Sequence, residues 1–262
     1  MENILEVNNL TMNFGGLTAL ENFDIAISRG EIVALIGPNG AGKTTFFNCI
    51  TGLYTPTGGD VYISAPGRKP KRINGLKPNL ITGRGLARTF QNIRLFPNMT
   101  VLENVMIGRH CRTSAGIAGA VFRGNATKKE EKDIVDFSYE IINKIGISYF
   151  TNELAKNLPY GAQKRLEIAR ALATEPLLLL LDEPAAGLNI KETQELDRLI
   201  TKIRDEENIS ILLIEHDMKL VMSISDRIVV LDYGRKIAEG SPDEVRANPV
   251  VIKAYLGEEL IA

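Results

Sequence analysis

"EIVALIGPNGAGKTTFFNCITGL", residues 31–53, is the stretch on which the fold turns. Its first seven residues form a nearly continuous apolar run. That is the pattern of a strand buried on both faces of a mixed or parallel sheet. "KTTFFNCITGL" then reads as a helix ending near Gly52. Between them "GPNGAGKTT", Gly37 to Thr45, fits G-x-x-x-x-G-K-[ST] in the strand–loop–helix setting that this motif requires. Gly40 and Gly42 let backbone N–H groups turn inward around phosphate oxygens, and the helix N-terminus adds a partial positive charge. Gly37, Pro38, Asn39 and Ala41 complete the loop. Lys43 is expected to reach the β- and γ-phosphates, Thr44 to ligate Mg²⁺, and Thr45 to bond the α-phosphate. The stretch predicts a nucleoside triphosphate site.

Two more apolar runs match the first. "LLLLLD" (177–182) ends in Asp182 and Glu183 before Pro184, at the strand edge where open α/β sheets place ligand residues. Asp182 is expected to hold Mg²⁺ through water, and Glu183 to polarise the attacking water. "ISILLIEH" (209–216) ends in His216, placed to donate to the γ-phosphate or to hold the water and Glu183. Between these strands Leu196, Leu199, Ile200 and Ile203 mark a helix, with Asn189 and Glu192 spaced as a capping box. Residues 4–28 alternate around Gly15-Gly16, predicting short antiparallel strands. Residues 64–85 read as an exposed excursion rich in Pro, Gly, Lys and Arg. Ile134, Phe137, Ile141, Ile142 and Ile145 predict an amphipathic helix over 128–146. Residues 227–240 predict a hairpin turning at Tyr233-Gly234. Ser241, Pro242 and Glu244 then open a last helix. Strands alternating with helices make an α/β core.

The bulk composition excludes several classes. The chain has 262 residues, 44% hydrophobic and 24% charged, and a formal net charge of −1. That balance gives no overall attraction to nucleic acid or anionic lipid. Two cysteines, Cys49 and Cys111, make no disulfide framework and point to a reducing compartment. "MENILEVNNL" is not a signal peptide, and the apolar run before Asp182 is too short to span a bilayer. A cytoplasmic protein is expected, with any membrane contact made through a partner.

The motifs stand in a familiar order: the phosphate loop, Gln91 in "TFQN", "LPYGAQ" before "IARAL", "LLLDEP", and His216 after a core strand. The chain resembles the nucleotide-binding domain of ABC transporters from about residue 4 to its end. The resemblance implies a P-loop NTPase core of mixed, mostly parallel sheet, with an N-terminal antiparallel β-subdomain and an inserted α-helical lobe. It implies residues 1–91 and 166–240 for the RecA-like core with that subdomain, 92–165 for the lobe, and 241–262 for a C-terminal helix. It also implies ATP hydrolysis between two protomers packed head to tail, with ATP and Mg²⁺ as cofactors. Phe14 matches the aromatic that stacks on adenine, which needs only a flat apolar face. Gln91 matches the residue that links Mg²⁺ or the lytic water to the membrane partner. Asn189, in "AAGLN", stands where the family more usually has aspartate.

A narrower resemblance rests on "ARTFQNIRLFPNMTVLENVMIGRH", "YGAQKRLEIARALA", "DEPAAGLNIKET", "LLIEHDMKLVMSISDRI" and "VIKAYLGEE". These resemble an ATPase of branched-chain amino-acid importers. The implied partners are a sister ATPase and two permease subunits, with a substrate-binding protein acting indirectly. The implied place is the inner face of the cell membrane, held there through the permeases. The lipopolysaccharide-export ATPase is the nearest competitor, but it usually keeps a Ser-Gly-Gly signature. A soluble ATPase acting on nucleic acid or ribosomes draws support from "GRKPKRINGLK" (67–77). No aromatics are interleaved there for base stacking, so no nucleic-acid partner is expected. A regulatory module without catalysis is opposed by Lys43, Glu183 and His216.

By the same resemblance "LPYGAQ" is the signature motif. Pro159 lacks the hydroxyl and the N–H of the usual serine, and Tyr160 replaces a glycine. The helix N-terminus at Gly161 and Ala162, followed by Gln163, remains an anion site for the partner's ATP.

Overall fold

The computed structural model of the chain describes residues 2–112 and 125–256. The chain divides into two compact units, Met1–Arg88 with Leu177–Ala262, and Thr89–Pro176. The second unit is wider at both ends than the lobe expected at 92–165.

Among the described residues the first unit holds two sheets. In one, β1 (Asn3–Phe14) pairs antiparallel with β2 (Leu17–Ser28) and with β4 (Gly58–Ile63). The two N-terminal strands are longer than expected, because the register slips at bulges and then resumes. A two-residue strand β5 (Lys71–Arg72) extends this sheet from β4. The 64–85 excursion is therefore only partly exposed: Ile73 and Ile81 are buried in the core beneath it.

The other sheet runs in the order β10-β9-β3-β8-β7-β6. β3 (Ile32–Ile36), β6 (Leu86–Arg88), β7 (Leu178–Asp182), β8 (Ser210–Ile214) and β9 (Arg227–Asp232) are parallel. Only β10 (Arg235–Gly240) is antiparallel, in the expected hairpin with β9. Every residue of β3, β7 and β8 is buried. Strands covered on both faces have no polar side to show, which is why they read as unbroken apolar runs. β3 sits at the centre, so the loop that follows it opens at the middle of the carboxyl edge.

Helix α1 (Lys43–Ile50) follows that loop, and α2 (Pro78–Gly83) precedes β6. In the second unit, α3 (Val101–Arg109), α4 (Asn125–Ile145) and α5 (Tyr160–Leu172) pack together. Ile141, Ile142 and Ile145 form the buried stripe of α4. α5 belongs to this unit because it packs on α3, which carries the boundary past residue 165.

Back in the first unit, α6 (Ile190–Glu207) begins with the expected Asn189–Glu192 capping box. α7 (Met218–Ile224) follows β8. The expected single C-terminal helix is two, α8 (Pro242–Ala247) and α9 (Pro249–Leu256). Pro249 forces the break, since proline disfavours helical geometry in the residue before it, and Asn248 is extended. Residues 257–262 of that expected helix lie outside the described residues.

Candidate nucleotide site

The phosphate loop is locked by close backbone packing. A side chain at Gly37 would collide with the Leu231 carbonyl, and a Cβ on Gly42 would lie 2.6 Å from the Ala19 carbonyl oxygen. Gly42 also caps α1 in a left-handed conformation, φ 108°, which glycine alone adopts freely. The hairpin turn fixes the loop from beside it, because the Gly234 N–H donates to the Ala41 carbonyl at 2.9 Å.

Lys43 is buried, and its ammonium donates to the carbonyls of Gly37 at 2.7 Å and Pro38 at 2.9 Å. Burial pushes its pKa below the ordinary lysine range, opposed by the charges of Glu183 and Asp182.

A cleft of about 470 Å³ opens over this loop. Asn39 to Thr45 line it, together with Phe14, Leu17, Glu183 and His216. Phe14 is 42% exposed and meets Tyr54 edge to face at 5.3 Å.

Glu183 follows β7 at a backbone φ of 48°, strained for a residue with a side chain. Its N–H donates to the Ile214 carbonyl at 2.8 Å, which holds the strained turn against β8. His216 Nε2 lies 2.8 Å from Glu183 Oε1. Asp182 is buried at the end of β7 and paired with Arg88 at 2.7 Å.

Two residues that brace these groups escaped the sequence reading. Glu215 is buried, and its carboxylate accepts from the N–H groups of Ala185 at 2.6 Å, His216 at 2.9 Å and Asp217 at 3.3 Å. It fixes the turns that carry Glu183 and His216. A charged residue closing the apolar run "LLIEHD" was the available signal. Arg88, in "LARTF", was the other.

Asn189 stands apart from these groups. Its side chain accepts from the Glu192 N–H, and it is not among the residues lining the cleft.

Gln91 and Pro159 to Gln163 belong to the helical unit. Gln91 is exposed, while its carbonyl accepts from the buried Lys164 ammonium at 3.0 Å. The buried Glu167 accepts from the N–H groups of Phe90 at 3.2 Å and Arg94 at 3.4 Å. One turn of α5 thus holds the loop that carries Gln91. Pro159 is the N-cap of α5 and provides no side-chain cap. Gln163 reaches back to the Leu158 carbonyl at 2.9 Å, so its amide braces the motif from behind.

Comparison with known proteins identifies the family. The family model described as ABC transporter matches residues 20–186, across the phosphate loop, Gln91, "LPYGAQ" and Glu183. The chain belongs to the ABC transporter family. It is therefore an ATP-binding, ATP-hydrolysing cassette. A second family model, the branched-chain amino acid ATP-binding cassette transporter, matches residues 235–260. The chain is 48% identical over 255 residues to the high-affinity branched-chain amino acid transport ATP-binding protein BraF of Pseudomonas aeruginosa, covering 97% of this chain and 98% of that one. It is equally similar, 48% over 255 residues with the same coverage, to LivG of Escherichia coli. Among solved structures, the ADP conformation of an ATP-binding cassette of an ABC transporter superimposes with a TM-score of 0.83 at 32% identity, over 98% of this chain and 100% of that one. A dimeric post-hydrolysis cassette bound to ADP and phosphate gives 0.74 at 28% identity, over 91% and 98%.

Proposed function

We propose that this chain is the ATP-hydrolysing subunit of a branched-chain amino acid importer, working as one of two head-to-tail protomers beneath two membrane permeases. The observation that carries the chemistry is the meeting of Glu183 and His216 at 2.8 Å in the cleft lined by the phosphate loop. The amino-acid cargo rests on what BraF and LivG are named for transporting.

In this reading Phe14 stacks on the adenine, and Lys43 leaves the loop carbonyls for the β- and γ-phosphates. Backbone amides from Gly40 to Thr45 hold the phosphate oxygens. Glu183 accepts the proton of the attacking water, and His216 keeps that carboxylate in one orientation while facing the γ-phosphate. Thr44 and Asp182 offer one hydroxyl and one carboxylate. Such a sparse oxygen set suits Mg²⁺, which retains water and phosphate oxygens in its shell. Bound there, the ion would neutralise phosphate charge. Gln91, tied by its carbonyl to α5, is read as the link toward the permease.

The partner protomer would bring Pro159 to Gln163 against the γ-phosphate, with Asn189 at the same seam. ATP would then bridge the two protomers, and hydrolysis would release the bridge. Among the described residues no helix is long and apolar enough to cross a membrane. Association with the membrane is therefore assigned to the permeases.

The test is gentle extraction of the tagged chain from its own membranes. Integral membrane subunits are expected to co-purify, and proteoliposomes of that complex, given the substrate-binding protein outside, to take up labelled leucine only with ATP inside. Salt-sensitive RNA capture with no membrane subunit would overturn this assignment.

A further inference from the structure

We infer that Arg88 is a positioning residue that makes divalent-cation binding at Asp182 depend on bound nucleotide. The inference rests on the reading of Asp182 as the carboxylate that faces Mg²⁺. Arg88 ends β6, beside β7 in the sheet, and its Nη2 lies 2.7 Å from Asp182 Oδ2. The two side chains are only 7% and 6% exposed.

The same guanidinium donates through Nη1 to Asn48 Oδ1 at 2.7 Å and lies over the Phe47 ring, 5.3 Å from its centre. Both residues are on α1, which the phosphate loop opens. Arg88 therefore links three elements, its own β6 with β7 and α1. One oxygen of Asp182 is turned to it.

A cation drawing on Asp182 must share this carboxylate with a fixed positive charge. At hydrogen-bond distance the guanidinium charge opposes any further cation drawn to that carboxylate. The same field acts on a divalent ion with twice the charge. Asp182 alone is then a poor cation site, and phosphate oxygens must supply the missing negative charge. Metal and nucleotide would arrive together, and an idle cassette would not load metal by itself.

The experiment is Mn²⁺ binding to the full chain, followed by electron paramagnetic resonance, with and without ADP. Without nucleotide, Arg88→Gln is expected to bind Mn²⁺ at least about tenfold more tightly than wild type. Arg88→Lys, which keeps the charge, is expected to stay within about threefold of wild type. Adding Asp182→Asn to Arg88→Gln is expected to erase the gain.

A folded Arg88→Gln chain with wild-type Mn²⁺ affinity overturns the proposal and leaves Arg88 a structural brace. If Arg88→Gln does not fold, the neutral pair Arg88→Met with Asp182→Asn decides. Mn²⁺·ADP binding equal to that of Asp182→Asn alone supports the proposal, and a further loss overturns it. Unchanged Mn²⁺·ADP binding in Asp182→Asn alone would instead remove the reading of Asp182 itself.

Discussion

His216 Nε2 and Glu183 Oε1 stand 2.8 Å apart, although 33 residues separate them in the chain. Two parallel neighbours, β7 and β8, end side by side and deliver one group each. Glu215, placed between them, ties both turns through their backbone N–H groups. Glu183→Gln keeps the shape of the side chain but cannot accept a proton. ATP turnover is expected to fall by about 10²–10⁴-fold with ATP affinity retained. His216→Ala is expected to lower turnover about 10²-fold, since Glu183 loses its orientation. Single-turnover ATPase assays beside a fluorescent-nucleotide titration check both. Near-wild-type turnover in Glu183→Gln would exclude it as the base.

Lys43 poses a conflict between stability and function. Its pKa is lowered by burial, against the charges of Glu183 and Asp182, so the folded chain holds the ammonium proton less tightly than the unfolded chain does. The charged amine therefore costs stability at neutral pH. That cost is relieved as pH rises through the lowered folded-state value toward the ordinary lysine range. Lys43→Met is expected to melt at least as high as wild type without nucleotide, and to lose the rise in Tm that ATP gives wild type. Thermal denaturation with and without ATP measures both. A lower Tm without nucleotide would show that the two carbonyl contacts outweigh desolvation.

Glu167 carries a proton more readily in the folded chain, because burial raises its pKa against the pull of its backbone donors and of Lys164 and Arg170. A raised carboxyl pKa means that stability falls as pH rises from the ordinary glutamate range through the folded-state value. Glu167→Gln keeps an acceptor for Phe90 and Arg94 and is expected to flatten that pH dependence. Glu167→Ala leaves two N–H groups of the Gln91 loop without this acceptor and is expected to cost about 1–3 kcal/mol. Urea unfolding at several pH values distinguishes the two. Equal losses in both variants would show that the carboxylate charge, not the hydrogen bonds, holds the loop.

Pro159 begins α5 without a side-chain cap. Its backbone is extended, φ −54° and ψ 150°, a conformation serine adopts easily. Pro159→Ser is expected to add about 0.5–1 kcal/mol through capping. It is also expected to strengthen ATP-driven dimerisation in a Glu183→Gln background, where hydrolysis does not dissolve the dimer. Light scattering across an ATP titration reads the second effect. An unchanged midpoint would show that the missing hydroxyl has no part in binding the partner's nucleotide.

Much of this protein lies within reach of local reading. The phosphate loop, the buried strands β3, β7 and β8, and the capping boxes at Asn189 and Ser241 are set by spacing of a few residues. Backbone hydrogen bonds in helices and caps link residues three or four apart, so their signal is local. Strands covered on both faces announce themselves by being apolar throughout. Pro249, which splits the expected last helix, is a local breaker that the reading of a single helix passed over.

The charged pairs were a different matter. Arg88 meets Asp182 across 94 residues with no motif to announce it, whereas the meeting of His216 with Glu183 was one of two roles expected for that histidine. Glu167 closes on the loop at Phe90 across 77. Such contacts depend on strand order and on which helix packs against which loop, and neither leaves a period in the chain. By itself the sequence determined the phosphate-loop motif and the elements that flank it. Only the tertiary structure decided which charges share the site, because a buried charge takes its partner from whatever the packing brings within about 3 Å.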